Sequence, residues 1–381
     1  MKNVAVFGST GSIGSQTLSV CSMHRNEFGI YALIFGSNAD AGIKQILEYD
    51  PKIVGVFDNR AAAAVREAFP DKEIISGTAV WDIAQMDGID IVVNGVSGFN
   101  GTFPLIKALR SGKTVALANK ESVVCAGRLV AEALNCGGGK ILPVDSEQSA
   151  IFQCLTAGRK EEVKRIILTA SGGAFRETPL ERLKDVTPEM AMKHPNWNMG
   201  RKITIDSATM FNKGLEIMEA AFLFDMDASS ISVLIHPQSV VHSMVEFCDN
   251  SVIAQLGVPD MRLAIQYALT YPDRIPSPAA PLDLASFNGL SFFEPDTDRF
   301  PAIPMAYRAL EKGGSLPIAY NSGNEVAVDR FIKGELRFTD IADCVEHVMG
   351  MIEDIAINDI DALLYADSEA RRLAKEFAVK R

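Results

Sequence analysis

The chain opens on Val4-Ala5-Val6-Phe7-Gly8-Ser9-Thr10-Gly11-Ser12-Ile13-Gly14, a short apolar strand that runs into a glycine turn and then a helical pattern. Glycines at such a turn let the backbone approach a pyrophosphate, whose charge is met by amides at the positive end of the following helix. The spacing is G-x-x-G-x-x-G, not the commoner G-x-G-x-x-G, so the context has to support it. That context is a repeated strand–helix rhythm. Candidate strands Asn3–Phe7, Ile30–Phe35, Ile53–Val56, Ile89–Val93 and Thr114–Ala118 each lead through Gly, Asn or Ser into a helical stretch. Such alternation predicts a parallel, doubly wound, Rossmann-like sheet over residues 1–145.

The end of the second strand bears on the cofactor. NAD sites usually place Asp or Glu about 20 residues past the glycines, on the ribose hydroxyls. Here the chain reads Phe35-Gly36-Ser37-Asn38, with no acid at the strand end, which favours a phosphorylated ribose and hence NADP. No Arg or Lys stands in the turn either.

Past residue 145 the texture changes. The run Lys140–Val144 ends in Asp145-Ser146-Glu147, after which Gln148–Leu155 reads as helical. Strand-like Arg165–Thr169, Ser232–Ile235, Val240–Phe247 and Ser251–Gln255 mix with one irregular stretch, Ser171–Arg201. Loops beyond about 15 residues tend to be lids or disordered segments. Dense prolines from Pro272 onward make an extended connector. Helices over Ala302–Leu310, Glu325–Ile332 and Glu369–Val379, with another capped by Thr339, form a C-terminal bundle. The expected fold is α/β: a Rossmann-like sheet (1–145), a central α/β catalytic domain with a mobile flap (146–270), a proline-rich connector (271–300) and a helical domain (301–381).

Acidic residues carry the chemistry. Asp145 and Glu147 follow a strand at the edge where ligands of α/β sheets collect, and on extended backbone they share a face. They suit one cation, or else Ser146 simply caps a helix with acids near its dipole. In Gly214–Phe224 apolar residues cover the whole helical wheel, which marks a buried helix, and only Glu216 and Glu219 are ionisable. A buried carboxylate without a partner is costly, so a cation or hydrogen-bond donors should accompany at least one. Oxygen ligands suit magnesium or manganese. Ahead of this helix, Asp206-Ser207-Ala208-Thr209-Met210-Phe211-Asn212-Lys213 makes a plausible phosphate cradle, and Ser171-Gly172-Gly173 offers a second. Either also reads as an ordinary polar turn. Trp197 lies in the irregular stretch, as part of a flap over a ligand or as an anchor to the core.

Composition removes other classes. The 381 residues carry 48 Asp plus Glu against 37 Lys plus Arg, a net charge of −11 that argues against nucleic-acid binding. No apolar run approaches the roughly 18 residues of a membrane span. Neither a signal-peptide core nor an Arg- and Ser-rich leader is seen, so a cytoplasmic protein without a membrane partner is expected. The six cysteines form no C-x-x-C pair and read as isolated thiols. His236 and His242 share a face if they lie on one strand, yet no Cys or third His stands nearby to complete a zinc site.

Taken in order, Gly8–Gly14, Ala118-Asn119-Lys120-Glu121-Ser122, Pro143-Val144-Asp145-Ser146-Glu147, the Ser171 turn, His194-Pro195-Asn196-Trp197-Asn198-Met199-Gly200 and Asp206–Glu216 resemble the 1-deoxy-D-xylulose 5-phosphate reductoisomerases. The resemblance covers essentially the whole chain. It implies a homodimeric, NADPH-dependent, divalent-metal enzyme of non-mevalonate isoprenoid synthesis. The enzyme would rearrange this phosphorylated ketose and reduce it to 2-C-methyl-D-erythritol 4-phosphate. By that likeness Asp145, Glu147 and Glu216 hold Mg2+ or Mn2+, with Lys120 and His194 beside them in catalysis. Lys120, Ser146, Glu147, Ser171, His194, Trp197, Met199, Ser207, Asn212, Lys213 and Glu216 meet substrate. Ser171, Ser207, Asn212 and Lys213 grip its phosphate, and Trp197 and Met199 belong to the flap. Thr10, Gly11, Ser12, Ile13, Gly36, Ser37, Asn38, Asn119, Glu121 and Gly200 line the cofactor. Relatives often carry a basic residue where Ser37 stands. Two rivals fit fewer residues: a simple NADP-dependent dehydrogenase of another phosphorylated aldehyde or hydroxy acid, and a non-catalytic dinucleotide sensor.

Overall fold

The first apolar run forms β1 (Lys2–Phe7), whose Val4, Ala5, Val6 and Phe7 are wholly buried. Around it, in the computed structural model, stand β2 (Phe28–Phe35), β3 (Ile53–Val56), β4 (Ile74–Ser76), β5 (Ile91–Asn94), β6 (Thr114–Leu117) and β7 (Lys140–Pro143). The seven strands are parallel, in the order β4-β3-β2-β1-β5-β6-β7. Strands of such a sheet are covered on both faces, which is why they read as unbroken apolar runs. The order reverses between β1 and β5, the crevice where ligands of open α/β sheets bind. Strand β4 escaped the sequence reading because only Ile74 and Ile75 are apolar in it.

The structure describes residues 1–193, 197 and 200–379, and these divide into two units. The first unit comprises Met1–Ser122, Arg128–Ser149 and Asp260–Ala280. Helix Arg262–Thr270 thus returns to the first sheet, packing on helix Ser12–Met23 and on β6 and β7. The second unit comprises Val123–Gly127, Ala150–Pro259 and Pro281–Arg381. Of the expected segments, both ends of 146–270 (residues 146–149 and 260–270) and the start of the connector therefore fall with the first unit. The rest of 146–270 shares a core with the C-terminal helices.

The second unit is built on a mixed four-stranded sheet of β8 (Val163–Ala170), β9 (Ile231–Ile235), β10 (Val241–Phe247) and β11 (Val252–Leu256), in the order β11-β10-β8-β9. β8 and β9 are parallel; β10 runs antiparallel to both neighbours. Helix Phe211–Phe224 packs on β9, Ala302–Lys312 packs on that helix, and Leu316–Ile332, Asp340–Met351 and Ile360–Glu376 extend the same core outward. One apolar core joins Phe211, Tyr320, Phe331 and Phe338, the rings of Phe211 and Tyr320 lying 5.0 Å apart.

Three local expectations change. Thr339 is itself helical (φ −68°, ψ −30°) and makes no capping bond; Asp340 accepts from the Arg337 amide at 2.8 Å and pairs with its guanidinium. His236 and His242 do not share a strand, because the chain turns between β9 and β10 with Ser239 at φ +51°. Within 171–201 two short helices form, Leu180–Leu183 and Pro188–Ala191.

Candidate active site

In the first unit the turn after β1 is held by its glycine. Gly8 has φ +80°, and a side chain there would meet the Gly95 carbonyl at 2.5 Å, so β1 and β5 can approach only without it. The Gly11 amide donates back to the Gly8 carbonyl at 2.9 Å. Gly11 precedes helix Ser12–Met23 with no side-chain cap, and Gly11 and Ser12 are exposed. The helix therefore presents its first amides outward, the arrangement an anionic group needs. Gly36, Ser37 and Asn38 are exposed at the end of β2, where Asn38 accepts from the Ala41 amide at 3.2 Å. Asn119 is buried and committed to the backbone: it donates to the Val96 and Gly98 carbonyls at 2.6 and 2.8 Å and accepts from the Ser122 amide. Its role is to fix the start of helix Lys120–Gly137.

Lys120, the first residue of that helix, is buried and forms an ion pair with Asp145. Asp145 stands just before helix Ser146–Cys154, where its own backbone carbonyl accepts from Ser149 at 2.8 Å. Ser146 is consequently the first helical residue and not the cap. Glu147 sits in the first turn, half-buried, bonded to the Ser146 hydroxyl. A helix start, not extended backbone, sets the spacing of these two acids.

In the second unit the two suspected phosphate segments are in contact. Gly173, at φ +70°, lies so close to the next segment that a side chain would meet the Ser207 carbonyl at 2.6 Å. Ser171 Oγ accepts from the Gly173 amide at 3.2 Å. Ser207 lies in the last turn of one helix, Arg201–Ala208, and Asn212 and Lys213 in the first turn of another, Phe211–Phe224. Between them Met210 adopts φ +65°, so the expected cradle is a break between two helices. Ser171, Ser207 and Asn212 are half-buried beside it. Glu216, one turn further, is fully buried; Lys213 and Asn212 both donate to its carboxylate, and Lys213 also donates to the Thr169 carbonyl at 2.5 Å. A carboxylate so placed is tolerable only with such partners. Glu219 is equally buried.

Trp197 is half-buried with its ring 6.0 Å from that of His242. Gly200 is exposed and caps helix Arg201–Ala208 through its carbonyl. His194 and Met199 lie outside the described residues. His236 has both ring nitrogens on backbone groups, Ser291 and Val240, and burial lowers its pKa. His242 bonds the Val258 carbonyl, and all six cysteines are free thiols. Tyr320 and Asn324 carry no motif in the sequence, and Asp206, named there only as the start of the cradle segment, gains its partner from the fold. Asp206 is 1% exposed and bonded to Asn324 and Lys202. Burial and the Asp206 charge push the Tyr320 phenol well above its ordinary value. The one signal was the polar run Asn321, Ser322 and Asn324 set among Ile318, Ala319, Val326 and Ala327.

Three family models match the chain. They describe 1-deoxy-D-xylulose 5-phosphate reductoisomerase over residues 4–127, a C-terminal domain of that enzyme over 141–224, and a DXP reductoisomerase C-terminal domain over 256–373. The 1-deoxy-D-xylulose 5-phosphate reductoisomerase of Geotalea uraniireducens (strain Rf4) is 48% identical over 379 residues, 99% of this chain and 98% of that one. The protein of that name from Chlorobium phaeovibrioides is 49% identical over 381 residues, 99% of each. A crystal structure of DOX-P reductoisomerase with NADPH, fosmidomycin and magnesium superposes with a TM-score of 0.92 at 37% identity, covering 98% of both chains. The Zymomonas mobilis enzyme with NADPH gives 0.91 at 39%, also over 98% of both.

Proposed function

The chain belongs to the 1-deoxy-D-xylulose 5-phosphate reductoisomerase family, and from that membership we propose how its own residues carry the reaction. The activity is the NADPH-dependent conversion of 1-deoxy-D-xylulose 5-phosphate to 2-C-methyl-D-erythritol 4-phosphate, with a divalent cation, in isoprenoid synthesis. We read the rearrangement as retro-aldol cleavage followed by aldol recombination, with reduction of the resulting branched aldehyde last.

Asp145, Glu147 and Glu216 are read as the ligands of one cation. The donor set is all carboxylate oxygen, which fits magnesium or manganese. When bound, the cation supplies Lewis-acid polarisation of the substrate's oxygens, and NADPH supplies the hydride. Of the three acids, Asp145 and Glu216 each hold a lysine, Lys120 and Lys213. In the reaction these lysines turn to the substrate: Lys120 toward the oxygen where negative charge develops, Lys213 toward the phosphate. Ser171, Ser207 and Asn212 complete the phosphate grip, and Ser146 and His194 complete the substrate contacts. Holding a phosphate remote from the reacting carbons lets its binding energy serve orientation and the exclusion of water. We assign that exclusion to a flap containing Trp197 and Met199.

For the cofactor, the Thr10, Gly11, Ser12 and Ile13 turn receives the pyrophosphate and Gly36, Ser37 and Asn38 the phosphorylated ribose. Asn119, Glu121 and Gly200 line the remainder. We further read the enzyme as a cytoplasmic homodimer with functional divisions 1–145, 146–270, 271–300 and 301–381.

The observation that carries this reading is Glu216, a fully buried carboxylate bonded to Asn212 and Lys213. The test is to incubate the protein with deoxyxylulose phosphate, NADPH and magnesium and to identify the product by NMR. A branched methylerythritol phosphate is expected. NADPH oxidation that leaves the carbon skeleton intact would favour the simple dehydrogenase; NADPH binding without turnover would favour the sensor.

A further inference from the structure

Helix Leu316–Ile332 buries a polar strip inside the second unit's core: Asn321, Ser322 and Asn324 are each 0% exposed. Apolar residues in such places are often neutral for stability or better. Stability alone therefore does not explain why Asn324 reaches where it does. Its Nδ2 donates to Asp206 Oδ1 at 2.7 Å, while Lys202 Nζ donates to the other oxygen at 2.7 Å. Asp206 is the neighbour of Ser207. Four residues earlier on the same helix, the Tyr320 hydroxyl shares its one proton between the Ala302 carbonyl at 3.1 Å and the Phe211 carbonyl at 3.4 Å, and its ring packs on that of Phe211, next to Asn212. Gly214 makes this approach possible, since a side chain there would stand 1.9 Å from the Tyr320 oxygen.

Residues four apart share a helix face. Asn324 and Tyr320 therefore hold the two sides of the break at Met210: Asp206–Ser207 on one side and Phe211–Asn212 on the other. A methionine at φ +65° is a strained backbone position that persists only where its surroundings over-determine it. We propose that Asn324 and Tyr320 are positioning residues that fix this break, and with it the spacing of Ser207 from Asn212 and Lys213 around the substrate phosphate. The proposal rests on the phosphate reading given above.

The test uses the full-length protein and three readouts: the affinity for inorganic phosphate by calorimetry, the KM for deoxyxylulose phosphate, and the NADPH affinity by fluorescence. Asn324→Asp sets a second carboxylate against Asp206. It should weaken phosphate binding and raise KM at least tenfold, with NADPH affinity within twofold of wild type. The exchange Asp206→Asn with Asn324→Asp restores an amide–carboxylate pair and should return both values to within threefold. Tyr320→Phe, which removes one oxygen, should raise KM threefold or more. Wild-type phosphate affinity in Asn324→Asp overturns the proposal, as does an exchange that recovers the thermal midpoint without recovering phosphate affinity. Should Asn324→Asp fail to fold, wild-type phosphate affinity in Tyr320→Phe overturns it instead. Ser207→Ala separates the two layers: if it binds phosphate undiminished, the phosphate reading itself fails and this proposal falls with it.

Discussion

Gly173→Ala is the sharpest probe of the idea that the Ser171 turn and the Ser207 helix end form one cradle. Gly173 has φ +70°, where a side chain costs roughly 1–2 kcal/mol. The added carbon would also stand 2.6 Å from the Ser207 carbonyl oxygen and 2.8 Å from Ala208 Cα. Both obstacles are backbone, so neither can swing aside as a flexible side chain would. Forcing extra volume into such a contact costs about 1–3 kcal/mol. Together the two effects amount to about 2–5 kcal/mol, appearing either as lost stability or as separation of the two segments. The assay pairs the urea unfolding midpoint with the KM for deoxyxylulose phosphate. Gly350→Ala serves as control, because a side chain there meets nothing within 4 Å. A lower midpoint and a KM raised at least tenfold are expected for Gly173→Ala, with neither in the control. Wild-type values for both quantities would mean that the Ser171 turn and the Ser207 helix end are not one cradle.

Other outcomes follow from the same structure. Ser37→Arg should favour NADPH over NADH by a further factor of about ten, some 1.4 kcal/mol; an unchanged ratio would move the 2′-phosphate away from the end of β2. With Trp81, which is buried against Phe7, Phe57 and Phe103, replaced by Phe, the emission of Trp197 should respond to substrate or a phosphonate mimic, and a silent signal counts against the flap. Burial lowers the His236 pKa below its ordinary 6.5, so the unfolded chain takes up that proton first as pH falls. Stability should therefore decline with acidification from about pH 6.5 down to the folded value, less steeply in His236→Gln; equal slopes in urea titrations would exclude a contribution from this residue.

The first sheet was legible because its strands are buried on both faces and flanked by turn residues, so β3 and β6 fall within a residue of their expected limits. What escaped was tertiary. Helix Arg262–Thr270 carries no mark of its return to the first sheet, because an apolar face does not name its partner. Helix Leu316–Ile332 begins nine residues before the expected Glu325, since buried Asn321, Ser322 and Asn324 disguise its first turns as a loop. The acids at 145, 147 and 216 were legible as residue types; their buried partners were not. Lys120 with Asp145 and Lys213 with Glu216 are pairings that only the fold reveals. Asn119 shows the converse. Its motif was plain in the sequence, while its structural task, tying down the carbonyls of Val96 and Gly98, was not.

The claim that Asp145, Glu147 and Glu216 serve a single cation is tested most directly by Mn2+ binding, followed by electron paramagnetic resonance, in the wild type and in Asp145→Asn, Glu147→Gln and Glu216→Gln. One tight ion per chain is expected in the wild type. Every variant should lose roughly a hundredfold or more in affinity, about 2.7 kcal/mol, with NADPH affinity unchanged. Wild-type Mn2+ affinity in any one of the three would remove that residue from the site and leave the shared cation without its ligand set.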